Sequence, residues 1–340
     1  MVRGRDQGII KPLHGLRGLA AMIVVIHHTA PVKFSGALGV TLFFVMSGFL
    51  MGRLYLAREF TAVQVWRFAI ARFARIYPLF ALLIVAAALL DRFFGINVFW
   101  MKSWQVDRHL VLLGDAYTVW TIAVECHFYA MFPVFWFAFA RGKLNLQVLI
   151  LLYVPLAVAA YFFDGRIDPL RYLHIFVLGM IVARIADAPP RLLEKWAGGG
   201  LPLAMLAFAA AAIHGVNAYT NTFAILMAGC MVLFSVVAPV SPVARVLSLS
   251  PLVWLGEISF GTYLLHRFTQ GILARYTGTI EPTWLSFAII VSVTLLLAAL
   301  MFRFYEEPMR RLIRSLDRKI PAMLGWPGKT AKGERIAKPR

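Results

Sequence analysis

The sequence predicts an all-α protein that crosses a membrane several times. Of its 340 residues, 61% are hydrophobic and only 15% are charged, and the mean hydropathy is +0.75. A soluble domain of this length would have to cover its apolar surface with many more charges. Apolar runs long enough to cross a hydrocarbon core about 30 Å thick recur along the chain.

Ten such runs are long enough to be transmembrane helices, and they follow one another closely. The sequence shows no internal repeat and leaves no room for a second folded domain between them. We therefore expect one membrane domain over residues 1–312, and a basic, disordered cytoplasmic tail over residues 313–340. The predicted spans are 13–31, 37–56, 76–94, 117–139, 145–163, 170–187, 200–217, 220–238, 253–274 and 283–304.

The distribution of basic residues predicts the orientation of these spans. The chain carries 34 Lys and Arg against 16 Asp and Glu, a formal net charge of +18. Most of the basic residues lie in loops that fall on one side of the membrane if the N-terminus is cytoplasmic. This is the pattern of a membrane protein rather than of a nucleic-acid-binding one, and both termini are predicted to be cytoplasmic. The basic tail is expected to meet anionic membrane lipid.

Two segments between spans have their own patterns. Residues 57–75 are polar and rich in arginine, with apolar residues at helical spacing, which predicts an amphipathic helix on the cytoplasmic surface. Residues 95–116 contain Trp100, Trp104 and Asp115 and are expected at the outer face, where tryptophan is enriched.

Neither the cysteines nor the N-terminus points to an extracytoplasmic soluble protein. Cys126 and Cys230 lie in apolar runs without disulfide or metal spacing, so they are interpreted as packing residues, and no metal site is expected. The first apolar run follows a basic flank, as in a signal peptide. Because Arg17 interrupts it and no small-residue cleavage site follows, it is interpreted as a retained membrane anchor.

The first span carries two ionisable groups, Arg17 and His28, eleven residues apart. Charges at membrane depth are costly and indicate function. At about 1.5 Å per residue the two lie about 16 Å apart, with Arg17 toward the cytoplasm and His28 toward the outer face. Arg17 could instead be a topology signal, and His28 a packing residue. His27 competes with His28 as the functional histidine.

The fourth span adds a carboxylate. Glu125 lies about two helical turns below the predicted outer face, near the depth expected for His28. A carboxylate beside an imidazole orients the ring and makes it a better general base, so His28 and Glu125 are predicted as a catalytic pair. Tyr129, one turn farther along, is a further candidate. The alternative is a structural pair that joins two helices.

Other polar groups lie at span ends or beside small residues. Arg72 and Arg75 are three residues apart, hence on one helix face, and arginine suits phosphate oxygens. Ser47 lies in GVTLFFVMSGFLMG, where small residues allow close packing or leave space for a ligand. His266 and Glu306 are further ionisable candidates. The alternatives are that the two arginines only add positive charge to the cytoplasmic face, and that Ser47 and its neighbours serve ordinary helix packing.

Taken together, these segments resemble acyltransferase family 3, bacterial inner-membrane O-acyltransferases that modify glycans. The resemblance rests on six stretches in the family's order: LHGLRGLAAMIVVIHH, GVTLFFVMSGFL, RFARIYPLF, WTIAVECHFYAMFPVF, YLLH and FYEEPMRRL. They extend over residues 13–312.

The resemblance implies ten membrane helices, acyl-coenzyme A as donor substrate, a hydroxyl acceptor on a sugar, and no permanently bound cofactor. It assigns Arg17 and His28 to the essential motif of the first helix, and Arg72 and Arg75 to the coenzyme A contact. It places Glu125 at the glutamate of the motif that begins with tryptophan. This chain has His14 and Thr41 where the family often has aspartate.

The resulting hypothesis is an O-acyltransferase of the bacterial inner membrane. It would move an acyl group, expected to be acetyl, from cytosolic acyl-coenzyme A to a carbohydrate hydroxyl at the outer face. Arg17, Ser47, Arg72 and Arg75 would bind the donor, and His28, oriented by Glu125, would act as general base or transient acyl carrier. The alternatives are a transporter or flippase, and a scaffold subunit among polysaccharide assembly proteins.

Overall fold

A computed structural model describes residues 10–323, except 100, 102–104, 117, 164, 166 and 279–281. The described ranges contain helices and loops but no β-strand. A π-helical turn, Phe302–Glu306, joins the last two helices. The helices are α1 (Lys11–Thr29), α2 (Ala37–Tyr55), α3 (Ala62–Phe94), α4 (Val106–Leu110), α5 (Trp120–Ala140), α6 (Leu146–Ala159), α7 (Pro169–Asp187), α8 (Arg191–Ile213), α9 (Thr222–Val237), α10 (Pro242–Leu247), α11 (Ser250–Glu257), α12 (Ser259–Thr277), α13 (Trp284–Met301) and α14 (Glu307–Met323).

Among the described residues, six helical stretches are long and apolar enough to cross a membrane, as expected of a multi-pass membrane protein. They are α2, α3, α5, α7, α8, and the stretch Trp284–Asp317 that α13 begins. The apolar helices α6 and α9 are shorter. Helices α1 and α12 fall outside the six because charged residues and histidines lower their mean hydropathy. The count of ten spans stays a prediction.

The segment predicted as a separate amphipathic helix is continuous with the third span, so that prediction is wrong as to its boundaries. Helix α3 begins after Thr61, whose side chain accepts a hydrogen bond from the backbone N–H of Gln64, and runs unbroken for 33 residues. No glycine or proline interrupts it before Pro78, which the helix accommodates. It ends at Gly95, whose φ of 67° suits glycine. Residues 57–61 precede the helix.

The C-terminal part also differs from expectation. The predicted span 253–274 is divided between α11 and α12, which meet at Ile258. The tail predicted to be disordered is helical up to Met323, the last residue of α14. An ion pair between Arg67 of α3 and Asp317 of α14, at 3.7 Å, holds this helix against α3. The rest of the tail lies outside the described residues. So do Trp100 and Trp104, predicted at the outer face.

Helix α1 lies at the centre of the fold. It packs against α2, α9, α10, α11, α12 and α13. Beside it, α2 and α7 form a close pair, because Gly48 and Gly179 bring the two backbones into contact. A Cβ atom on Gly48 would overlap the backbone of Phe176, and one on Gly179 would overlap the backbone from Val45 to Phe49. This arrangement fixes α2 and surrounds the polar residues of α1 with other helices.

Candidate active site

A cavity of about 650 Å³, including its opening to solvent, lies between α1, α2, α3, α5 and α12. We call it the arginine chamber, because α1 and α3 line it with three arginines. The other lining residues are polar side chains from α2, α5 and α12 and apolar side chains from α2, α3, α5 and α12. The polar lining residues are Arg17, Ser47, Arg72, Arg75, Thr121, Glu125, Tyr129, Ser259 and Tyr263.

The arginines point into the chamber because their helices turn one face toward it. Arg72 and Arg75 are three residues apart on the uninterrupted part of α3. The guanidinium of Arg72 lies over the ring of Tyr129, 5.7 Å from its centroid. Arg17 donates a hydrogen bond to the Ser259 hydroxyl at 3.4 Å. Like-charged groups this close favour an anionic partner, and arginine forks suit phosphate oxygens in particular.

Glu125 supplies the negative charge of the chamber. Its Oε1 accepts hydrogen bonds from the hydroxyl of Tyr129 at 2.6 Å and from the hydroxyl of Ser47. It also lies within electrostatic range of Arg17, Arg72 and Arg75. The carboxylate therefore joins α2 to α5 and neutralises part of the arginine charge.

The predicted pairing of Glu125 with His28 is wrong. Among the described residues, the contacts of Glu125 are the chamber groups, and His28 is not one of them. The expectation rested on equal depth in the membrane. Glu125 instead lies at the level of Arg17, about three helical turns along α1 from His28.

The described ring neighbours of His28 are two other histidines. Its ring lies 5.2 Å from the ring of His266 on α12 and 4.9 Å from that of His27. Its Nδ1 lies 2.9 Å from the carbonyl oxygen of Val24. The side-chain amide of Gln270 donates to the backbone carbonyl of His28 at 3.1 Å, which fixes the end of α1 against α12. We call His28 and His266 the histidine pair.

Tyr263 stands between the chamber and the histidine pair. Its ring lines the chamber and lies 6.0 Å from the ring of His266. Its hydroxyl donates to the carbonyl of Thr118 at 2.8 Å and contacts the Thr121 hydroxyl at 2.9 Å. Tyr263 therefore borders both polar regions.

The remaining predicted candidates lie beside these regions. His27 is exposed, with Phe34 as a ring neighbour at 5.8 Å, which leaves His28 as the inward-facing histidine. Glu306 ends the π-helical turn, within electrostatic range of Arg17 and Arg75. Its Oε1 atom is buried beside Gly261 without a hydrogen-bond partner among the described residues.

His14 and Thr41, at the two positions where family members often have aspartate, lie in different surroundings. His14 lies one turn from Arg17, within electrostatic range of Arg17 and Arg75. Thr41 is fully buried and donates to the carbonyl of Ala218 at 2.8 Å, which joins α2 to the segment before α9. Thr41 therefore serves as a packing contact, while His14 lies near two arginines of the chamber.

Sequence reasoning missed most of the contribution of α12. Four of its polar residues, Ser259, Tyr263, His266 and Gln270, face α1 or the chamber. Their spacings of four, three and four residues are the signature of one helix face. Only His266 was singled out, although the polar stripe is readable in SFGTYLLHRFTQ.

Comparison with known proteins identifies relatives of this chain. The chain is 23% identical to the peptidoglycan O-acetyltransferase OatA of Listeria monocytogenes over 89% of its length, and covers 56% of that protein. It is 26% identical to the O-acetyltransferase OatA of Staphylococcus aureus, with 88% of this chain and 57% of the relative covered. The chain thus spans just over half the length of these curated relatives.

No solved structure matches the chain significantly. A family model described as an acyltransferase domain matches residues 10–303. The matched range includes α1 to α13, and with them the arginine chamber and the histidine pair. The chain belongs to this acyltransferase family.

Proposed function

We propose that this protein is an integral membrane O-acyltransferase. It moves an acyl group, expected to be acetyl, from acyl-coenzyme A to a hydroxyl of a carbohydrate. The observation that carries the proposal is the arginine chamber, in which three arginines from two helices surround a cavity inside an acyltransferase-family fold. Family membership supports the reaction class, and the chamber supports an anionic donor.

In this proposal the arginines of the chamber bind the phosphate groups of the donor. Arg72 and Arg75 offer two guanidinium groups on one face of α3, and Arg17 adds a third from α1. Glu125 limits their mutual repulsion while the chamber is empty. The hydroxyl of Ser47, already a donor to Glu125, lies beside the path of the pantetheine arm.

His28 is the general base of the proposed reaction. Because a carbonyl oxygen can only accept a hydrogen bond, Nδ1 of His28 carries the hydrogen that meets the Val24 carbonyl. The lone pair of the neutral ring is therefore on Nε2. This nitrogen removes the proton from the acceptor hydroxyl as its oxygen attacks the thioester carbonyl, and coenzyme A leaves as the thiol.

The carbohydrate acceptor is the less constrained half of the proposal. It is supported by the similarity to proteins named as O-acetyltransferases, one of them of peptidoglycan. The protein would lie in the bacterial inner membrane with both termini cytoplasmic, as the distribution of its basic residues predicts. Donor would enter from the cytosol beside Arg72 and Arg75, and acceptor would meet His28 at the other end of α1.

The test is release of free thiol from acetyl-coenzyme A by the purified protein in lipid nanodiscs. We expect release that depends on added glycan extracted from membranes of the source cells, with base-labile acetate appearing on the glycan. Glycan movement across vesicles without thiol release would overturn the proposal in favour of a transporter. Absence of both activities would overturn it in favour of a scaffold subunit.

A further inference from the structure

His266 is a buried group that the proposed reaction has not yet used. It lies in the middle of α12 with none of its surface exposed. Its Nδ1 lies 2.5 Å from the carbonyl oxygen of Tyr263, so this nitrogen must carry the hydrogen. The lone pair of the neutral ring is then on Nε2, as in His28.

The Nε2 atom of His266 has no hydrogen-bond partner among the described residues. A buried acceptor without a donor destabilises the folded state, and such atoms are uncommon in native proteins. The cost is recovered when a donor arrives. The neighbouring ring is that of His28, with centroids 5.2 Å apart and planes tilted by 33°. No hydrogen bond joins the two rings in the described part of the structure, but at this separation a proton taken up by one ring can draw the two Nε2 atoms together.

The surroundings keep this arrangement in place. The backbone carbonyls of Val24 and Tyr263 hold the two rings, and Gln270 fixes α1 to α12 one turn beyond His266. Helix α12 is in turn tied to α13 by a hydrogen bond between the hydroxyls of Thr294 and Thr269 at 3.0 Å. A histidine needed only for packing would not require a second histidine at ring-contact distance.

We propose that His266 is a second base, which shares with His28 the proton taken from the acceptor hydroxyl. The O–H bond of the acceptor breaks, its oxygen bonds to the acyl carbon, and the C–S bond to coenzyme A breaks. The proton is held between the Nε2 atoms of His28 and His266 and then passes to the thiolate sulfur. This inference rests on the proposed acyl transfer.

The test uses two substitutions that separate the two ring nitrogens. In His266→Asn the amide N–H can still meet the Tyr263 carbonyl, but nothing replaces Nε2. In His266→Gln the amide oxygen can take the place of Nε2 as an acceptor but cannot hold a proton. The control is His174→Asn, at a histidine of α7 that is 1% exposed and has Tyr153 as a described ring neighbour.

We expect both His266 variants to lose about 100-fold in thiol release from acetyl-coenzyme A, at the lower end of what a general base contributes. Binding of coenzyme A, measured separately, should remain at the wild-type level in both. The His174→Asn variant should keep its activity. Wild-type turnover in His266→Asn would overturn the proposal, and so would full activity in His266→Gln.

A spectroscopic measurement tests the pair without turnover. In wild-type protein with ¹⁵N-labelled histidine in nanodiscs, one protonation step should give a strongly deshielded proton coupled to the Nε2 atoms of two histidines. The signal should be absent from His266→Asn and present in His174→Asn. If the wild type released no thiol, the proposed function would fail. Separate titration of His28 and His266 would overturn the pair alone.

Discussion

The two polar regions along α1 are built in opposite ways. The arginine chamber contains three arginine charges from two helices, partly balanced by one carboxylate from a third helix. The histidine pair has two rings held by backbone carbonyls, one of them fully buried. The first arrangement suits a multiply charged ligand, and the second suits the transfer of one proton. In the proposed reaction, donor binding and proton transfer would therefore be separated along a single helix.

The substitution His28→Ala is expected to have the largest effect. Loss of a general base should lower the rate of acyl transfer by about 10² to 10⁴-fold, while coenzyme A binding to the arginine chamber stays unchanged. Thiol release and calorimetric binding of coenzyme A measure the two effects. His27→Ala is the matched control, because His27 is exposed and should be dispensable. A shared loss of binding and turnover would show that the two regions are not separate.

Glu125→Ala should act mainly on stability. Removing the carboxylate leaves Arg17, Arg72 and Arg75 without their common counter-charge, which should cost about 3 kcal/mol. The thermal midpoint in detergent should fall accordingly. Glu125→Gln should fall less, because its amide oxygen can still accept from Ser47 and Tyr129. Equal stability of Glu125→Ala and wild type would contradict the role assigned to this carboxylate.

Arg75→Lys tests the chamber as a phosphate site. A lysine keeps the charge but cannot offer the two-pronged contact of a guanidinium, so coenzyme A should bind about tenfold more weakly, or about 1.4 kcal/mol. Titration calorimetry measures the change, and turnover at saturating donor should be preserved. Arg92→Lys, near the far end of α3 and away from the chamber, is the control. Unchanged affinity would argue against phosphate binding at Arg75.

Tyr263→Phe should have the smallest effect. The substitution keeps the ring between the two regions and removes hydrogen bonds to Thr118 and Thr121, at a cost of about 1 kcal/mol in stability. Transfer should stay within a few-fold of wild type in the thiol assay. A loss as large as that of His28→Ala would mean that the hydroxyl itself takes part in the reaction.

The sequence was sufficient to identify the charged residues of the chamber but not their pairing. Arg72 and Arg75 could be placed on one face because helical spacing is local, and the structure puts both in the chamber. The partner of Glu125 could not be predicted. Depth along the membrane normal is one coordinate, and it does not specify which helices face each other.

Helix boundaries also depend on contacts between helices that the sequence does not specify. The polarity of residues 57–75 suggested a surface helix, yet the buried side of α3 accommodates Arg72 and Arg75 because Glu125 and Tyr129 of α5 meet them there. The hydropathy of an apolar segment indicates only how readily that segment leaves water, and not which side chains of other helices it meets. The polar stripe of α12, by contrast, was readable but needed α1 as its counterpart to be interpreted.

The backbone contact between Gly48 and Gly179 also bears on the size of the acyl group. Since α2 is already in backbone contact with α7, it cannot move closer to α7, and the chamber residues Val40, Phe43 and Phe44 form a fixed wall. The ring of Phe44 is itself held at 4.7 Å from that of Phe176 on α7. Room for a longer acyl chain would have to come from α3 or α12. Selectivity for short acyl chains would then follow from the rigid packing of α2 against α7, at a distance from the reacting atoms.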